Sequence, residues 1–272
     1  LLLMNRSITK TELFNCYWDY ILIDTRAEEE YCKSHIGPAF NLTKASDVWS
    51  VIVEYCPEKR DKIIFYSGDE PHSRSLLRQT ITLLQENEIK VKKTLRCSST
   101  PALCQLSVDF TQFSADFPFL CTPNYSGNIV YPTMIEENLF LSAKQCAHDE
   151  NVIQQLNIAA IVNCTPDIKN LFEDTVRYHR LSIHDSVSES IVEHIPETVK
   201  FINQNLSQGV LVHCQRGQSR SASIIVAYLM QKYNWSCDNA LEQLKQARPV
   251  CSPNSGFLRQ LHYLEEAVDN KP

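Results

Sequence analysis

The chain predicts two α/β modules in tandem, each a central sheet flanked by helices. Three observations carry this. Its 272 residues exceed the usual size of one domain, and a 43% hydrophobic fraction is enough for two cores. Pro, Gly, Asn and Ser cluster in CTPNYSGN (residues 121–128), between segments with regular apolar periodicity. Both halves also alternate short apolar runs with amphipathic stretches of helical period.

In the first half, YILID (residues 20–24) reads as a strand followed by the acidic stretch TRAEEEYCKSHIGPAFNL. A second strand, IIFY (residues 63–66), leads through SGDEPHSR into a helix over residues 73–87. Residues 96–106 show no clear strand–loop–helix pattern. In the second half, residues 139–141, 159–163, 178–183 and 210–213 supply strands. Helices start near Ala143, Ile191, Ser219 and Cys237, and the second of them runs to Asn205. No internal repeat or low-complexity tract is present.

VLVHCQRGQSRS (residues 210–221) is the most informative segment, because a cysteine and an arginine stand six positions apart around a glycine. Val210, Leu211 and Val212 form a buried strand that His213 ends, and Cys214 opens a loop. Residues 219–231 then read as a helix with an apolar stripe at Ile224, Ile225, Tyr228 and Leu229. Such a strand–loop–helix aims backbone N–H groups and the positive end of a helix at one small volume. Anions are stabilised there, and so is a thiolate, so Cys214 should ionise below the ~8.5 of a free thiol. Arg220 adds a planar fork that grips two phosphate oxygens at once. The chemistry that fits is phosphoryl transfer to sulfur.

HCQRGQSRS matches the HC-x5-RS signature, and here the chain resembles the cysteine-dependent protein phosphatases. YLMQKYNWSCDNALEQLKQARP with SPNSGF is similar to their dual-specificity branch. The resemblance covers roughly residues 129–268, and the domain is placed at 129–270. It implies Cys214 as a nucleophile that forms a phosphocysteine. Arg220 and the backbone amides of Gln215, Arg216, Gly217, Gln218, Ser219 and Arg220 would hold the three equatorial oxygens. A general acid must reach the leaving oxygen, and Asp185 in RLSIHDSVSES is the candidate. Asp174 and Glu189 compete with it, and an Asp between strand and helix is also a common turn or cap residue. Ser221 matches the family's hydroxyl that hydrogen-bonds the departing thiolate, or is a first-turn helix residue. His213 is read as an orienting neighbour of the loop. Asn254 either ties the loop in place or is an ordinary turn residue after Pro253.

Arg216 stands where protein-directed members usually carry a small residue. A rim cation there would favour acidic or multiply phosphorylated substrates, phosphoinositides and nucleotide phosphates included. A solvated surface arginine is the plainer alternative, and the neutral Gln215 and Gln218 replace the lysines of lipid-directed relatives. Cys164, after the strand at 159–163, either pairs with Cys214 on oxidation or is a plain buried thiol.

TRAEEEYCKSHIGPAFNL in turn resembles the rhodanese-like fold, with Asp24, Arg26, Glu30, His35, Ile36, Ala39 and Asn41 at matching positions. VDFTQFSADFPFLC is similar to the end of that module where it precedes dual-specificity phosphatase domains. It is placed at residues 8–121, with 122–128 as linker. A sulfurtransferase needs a persulfide-forming cysteine in the loop after IIFY, whereas this chain has Ser67, Gly68, Asp69 and Glu70. Two carboxylates would repel an anionic sulfur donor, and Cys97 and Cys104 lie too late to substitute. The first domain is therefore expected to be catalytically silent.

The tandem order resembles the MAP kinase phosphatases and the related serine/threonine/tyrosine-interacting-like pseudophosphatases. In the former, a basic cluster on the first domain docks on the kinase. Here only Lys44 follows Asn41, and the nearest basic groups are Lys59, Arg60 and Lys62, then Lys90, Lys92 and Lys93. Either is a docking site or a solvated face. With nucleophile, arginine, serine and candidate acid all present, an enzyme is expected. It would hydrolyse phosphotyrosine and phosphoserine or phosphothreonine in phosphoproteins, MAP kinases among the candidates. A phosphate-binding adaptor and a phosphatase of non-protein substrates are the alternatives. No extended aromatic-bearing loop deepens the pocket, which suits a shallow dual-specificity site.

A net charge of −6 and a pI near 5.8 argue against a nucleic-acid surface. No apolar run reaches the ~18 residues of a membrane span, and the opening LLLMNRS is too short for a signal peptide. The chain does not begin with Met, as a truncated sequence would not. Eleven cysteines without framework spacing suit reduced thiols of the cytoplasm or nucleus. No His or Cys cluster has metal-ligand spacing, and the resemblance implies no cofactor.

Overall fold

The computed structural model describes residues 4–17, 19–54, 62–95, 102–123 and 129–269. The chain divides into two compact units, Leu1–Gly127 and Asn128–Pro272.

The first unit runs β1 (Met4–Ile8), α1 (Lys10–Cys16), β2 (Ile21–Asp24), α2 (Glu28–Lys33), β3 (Phe40–Asn41) and α3 (Val48–Glu54). It continues with β4 (Lys62–Tyr66), α4 (Pro71–Glu86), α5 (Glu88–Leu95), β5 (Ala102–Leu106) and α6 (Phe110–Asp116). The strands form a parallel sheet in the order β1-β5-β4-β2-β3. Parallel strands are covered on both faces, so β2 and β4 read as unbroken apolar runs. Ile21, Ile23, Ile63 and Phe65 pack against Leu76, Leu77, Ile81 and Leu84 of α4.

β5 corrects the sequence reading, which saw no pattern there. It sits between β1 and β4 and buries Leu103, Cys104 and Leu106. Asp24 ends β2 and grips Arg26 through both carboxylate oxygens, at 2.7 Å for the shortest contact. The guanidinium also donates to Ser34 O at 2.6 Å and lies 3.4 Å from the centre of the Phe110 ring. Asn41 Nδ2 donates to Arg26 O at 2.8 Å, and Ile36 and Ala39 are buried. His35 stacks on Tyr31, and Glu30 pairs with Lys33. The residues of the rhodanese-like pattern therefore brace the β2–β3 connection.

The second unit contains β6 (Thr133–Glu136), β7 (Leu139–Ala143), α7 (Lys144–Ala147), α8 (Glu150–Gln155), β8 (Ile158–Asn163) and β9 (Arg177–Arg180). After these come α9 (Ile195–Asn205), β10 (Gly209–Cys214), α10 (Arg220–Tyr233), α11 (Cys237–Ala247) and α12 (Ser255–Asp269). The sheet order is β6-β7-β10-β8-β9, with β6 an antiparallel edge on an otherwise parallel sheet.

Three expectations need correction here. The strand expected through Ile183 ends at Arg180: Leu181 N still donates to Asn163 O at 2.8 Å, but Ile183 N turns back to Leu181 O. The helix expected from Ile191 opens with a 3-10 turn, Val192–His194, and becomes α-helical at Ile195, next to Pro196 in its first turn. α12 has no counterpart in the sequence reading, although Phe257 and Leu261, four apart, dock it on the core.

β10 is the central strand and is buried along its whole length. α10, which follows it, buries every residue from Ser221 to Met230. This placement puts Cys214 at the carboxyl end of a buried strand, facing the start of a helix.

Candidate active site

The loop from Cys214 to Arg220 is shaped by one glycine. Gly217 has φ +67°, and a Cβ there would lie 2.6 Å from the Ser142 carbonyl. No L side chain fits that close approach, and the left-handed turn reverses the chain over the sheet edge. Four successive loop carbonyls are held from outside. Gln215 O accepts from Lys144 N (3.5 Å), Arg216 O and Gly217 O from the Arg248 guanidinium (3.4 and 3.0 Å), and Gln218 O from Ser252 N (2.8 Å). With the carbonyls turned outward, the N–H groups turn inward. Gly217 N donates to Cys214 Sγ at 3.2 Å.

Ser221, the second residue of α10, donates its hydroxyl to the same sulfur at 3.2 Å. Burial alone would push the Cys214 thiol up. The Ser221 hydroxyl and the amides of Ser221, Arg216 and Gln218 outweigh it, and the pKa falls below its ordinary 9.0. Neighbouring thiols behave in the opposite way. Burial pushes Cys251 up to about 11 and holds Cys164 well above 9.0. Cys164 directly follows β8, with its N–H on His213 O at 2.9 Å, and both it and Cys214 are free thiols.

Arg220 opens α10 and donates through Nη1 to Ile183 O at 3.2 Å. Its Nε is buried without an acceptor among the described residues. Asp185 comes from the loop after β9. Its Oδ1 accepts from Ser219 Oγ (2.6 Å) and Asn254 Nδ2 (2.9 Å), while Oδ2 lies 4.0 Å from Arg220 Nε. Asn254 also donates its N–H to Ser219 Oγ at 3.1 Å and accepts from Phe257 N at 3.0 Å, so it links loop, carboxylate and α12. Gly256 fits against the Val187 backbone, and Gln260 bonds Ile191 N and Glu189 O, each at 2.8 Å. α12, missed in the sequence, is what holds the Asp185 loop in place.

These groups line a pocket of about 390 Å³ formed by Asp185, Cys214, Gln215, Arg216, Gln218, Ser219, Arg220, Ser252 and Asn254. Asp174 and Glu189 do not line it. His213 is buried beneath, with Nδ1 3.4 Å from Cys214 O, and burial pushes its pKa down to about 4. Burial thus favours the neutral imidazole over the imidazolium that a general acid would need. Sequence reasoning missed Ser252, Arg248 and the side chain of Ser219. The first two lie in QARPVCSPN, whose turn residues mark a loop but not its destination.

In the first unit, the loop after β4 offers no comparable cradle. Gly68 N is taken by Ser73 Oγ at 3.2 Å, that hydroxyl meets Thr25 Oγ1 at 3.2 Å, and Asp69 pairs with Arg74. Of the basic groups, Lys62 lies over the Tyr20 ring and Lys90 over Trp49. Lys59, Arg60, Cys97 and the side chains of Lys92 and Lys93 fall outside the described residues.

A family model for the dual specificity phosphatase catalytic domain matches residues 139–267, and one for the rhodanese-like domain matches 10–93. Dual specificity protein phosphatase 1 of Arabidopsis thaliana is 37% identical over 139 residues, which cover 50% of this chain and 70% of that protein. The chain belongs to the dual-specificity phosphatase family. Other relatives match over a similar share of the chain. Human dual specificity protein phosphatase 9 is 37% identical over 142 residues, 51% of this chain and 37% of that protein. Human protein phosphatase Slingshot homolog 2 is 36% identical over 137 residues, 50% of this chain but 10% of that protein. The crystal structure of a variant of human DUSP28 superposes with a TM-score of 0.50 at 29% identity, covering 52% of this chain and 98% of that one. A rhodanese-like domain thus precedes a dual-specificity phosphatase domain.

Proposed function

We propose that the second domain hydrolyses phosphate monoesters on protein side chains through a phosphocysteine. The supporting observation is Arg220 Nε, a buried donor without an acceptor among the described residues, in a pocket that also holds an activated sulfur. A phosphate seated there would meet the guanidinium fork and the inward amides, with Cys214 Sγ beneath the phosphorus. Cys214 attacks, the P–O ester bond breaks, and phosphorus is transferred to sulfur. Asp185, with Oδ1 anchored, presents Oδ2 to protonate the leaving oxygen, then takes a proton from the water that cleaves the phosphocysteine. Ser221 stabilises the thiolate that departs. His213 takes no part in proton transfer. The same pocket residues make a passive phosphate-binding adaptor the poorer reading.

The substrate class we assign is phosphoproteins, on phosphotyrosine and phosphoserine or phosphothreonine alike, with MAP kinases as the first candidates because of the domain order. The first domain, with its amide cradle closed by Ser73, transfers no sulfur in this reading. The test is a substrate-trapping pulldown with Asp185→Ala alongside turnover of phosphopeptides. Capture of phosphorylated protein by Asp185→Ala, together with phosphopeptide turnover in wild type that is abolished in Cys214→Ser, is the expected result. Hydrolysis of phosphoinositides or RNA 5′-phosphates with none of phosphopeptides would overturn it.

A further inference from the structure

The four outward carbonyls of the catalytic loop are not held equally. Gln215 O and Gln218 O accept from neutral backbone amides, whereas Arg216 O and Gly217 O both accept from one cation, Arg248. A carbonyl and the next residue's N–H belong to one planar peptide group. The two peptides that Arg248 grips are therefore the ones whose N–H ends are Gly217 N and Gln218 N. Gly217 N donates to Cys214 Sγ at 3.2 Å, and the Gln218 amide also favours the thiolate. The third arm of the guanidinium, Nη1, donates to Thr133 Oγ1 on β6 at 3.0 Å, tying the clamp to the edge of the sheet.

We propose that Arg248 is a positioning residue that orients and polarises the two peptide groups facing the nucleophile and the substrate phosphate. A cation at the carbonyl end of a peptide withdraws electron density along its dipole and strengthens the N–H as a donor. It also resists the flip that would turn the carbonyls of a left-handed glycine turn towards the sulfur. Arg248 touches neither sulfur nor substrate; it acts through the backbone. Five donors in a rigid fork serve two adjacent carbonyls and a hydroxyl together, which the single ammonium of a lysine does not. The inference rests on the thiolate chemistry proposed above, and it adds a determinant of that thiolate from outside the signature segment.

The other charged or titratable groups around Cys214 are His213 on its own strand, Cys164 directly after β8 and Cys251 before α12. Arg220 on α10, Asp185 across the pocket and Arg216 on the rim are the others among the described residues. All are retained when Arg248 is replaced. The experiment measures the pH dependence of Cys214 alkylation by iodoacetate in wild type, Arg248→Gln, Arg248→Lys and Thr133→Val, with turnover of an aryl phosphate in parallel. Arg248→Gln should move the alkylation midpoint up by about one unit and slow alkylation about tenfold on the acid side. Lys should recover part of the shift, and Thr133→Val should move it slightly in the same direction. A wild-type midpoint in folded Arg248→Gln overturns the proposal. If that variant does not fold, Thr133→Val decides: a shift supports it and an unmoved midpoint overturns it. Alkylation needs no substrate, so a shifted midpoint in a chain that cleaves no phosphate ester would leave this inference standing and sink the phosphatase reading. Turnover with unmoved midpoints would do the reverse.

Discussion

Replacing Ser221 by Ala deletes one oxygen at a fully buried position while leaving the helix intact. The lost bond is a hydroxyl donor 3.2 Å from Cys214 Sγ. Hydrogen bonds to charged groups contribute about 1.5–3 kcal/mol, and one pKa unit is about 1.4 kcal/mol. The thiolate should therefore become about 1–2 units harder to form. At a pH below both values, its population and the alkylation rate fall about 10- to 100-fold. The Gly217, Arg216 and Gln218 amides persist, so phosphate binding itself should change little. Breakdown of the phosphocysteine, in which the same sulfur departs, should slow as well, so a burst of aryl alcohol precedes a slower steady state. Iodoacetate alkylation across pH reads the first effect, with Cys214→Ser as the blank for the exposed Cys32. An alkylation profile superimposable on wild type would refute the argument, because the hydroxyl would then not be serving the sulfur.

Asp185→Asn removes the transferable proton but keeps acceptors for Ser219 and Asn254. It should cost about 10²–10⁴ in kcat while Cys214 alkylation stays near wild type; equal loss in alkylation would show a structural effect instead. Gly217→Ala combines positive φ with a Cβ 2.6 Å from the Ser142 carbonyl. The loop must move, so turnover should drop at least 100-fold and the low-pKa alkylation disappear, with far smaller change in helix content by circular dichroism. His213 is held neutral, its pKa pushed down to about 4 from 6.5 by burial. The unfolded chain then binds the extra proton between these values, so stability is complete above 6.5 and is lost as pH falls through the window. The loss should be about 2 kcal/mol between pH 7 and pH 5. Urea unfolding of His213→Asn should show a flatter dependence, and an unchanged slope would count against the buried neutral imidazole. Finally, Asn254→Ala frees the Asp185 carboxylate and Ser219 together. It should lower kcat more than it raises KM, measured with an aryl phosphate.

Buried parallel strands were the most legible part of the fold. β2, β4, β8 and β10 are continuous apolar runs because both faces are covered, and a run of that kind shows without knowledge of its neighbours. β5 was not legible: ALCQL pairs on both sides, yet Ala102 and Gln105 are exposed, so its apolar signal is broken. α12 follows a cluster of breakers that marks a loop without saying what comes after it. Among site residues, Cys214, Gly217, Arg220 and Ser221 sit within eight consecutive positions, where local strand–loop–helix geometry nearly dictates their meeting. Asp185 was the named candidate with Asp174 and Glu189 as competitors, and of the three it is the one that lines the pocket.

The amino-acid order by itself determined the candidate nucleophile, the loop with its inward amides and the helix that starts above it, because those contacts are made by neighbours in the chain. Tertiary structure decided which of the competing carboxylates lines the pocket, that Asn254 and α12 hold it, and that Arg248 grips the loop from behind. Those partners are separated by 31 to 71 positions. Contacts at that separation depend on how sheet and helices pack, and no local pattern encodes them.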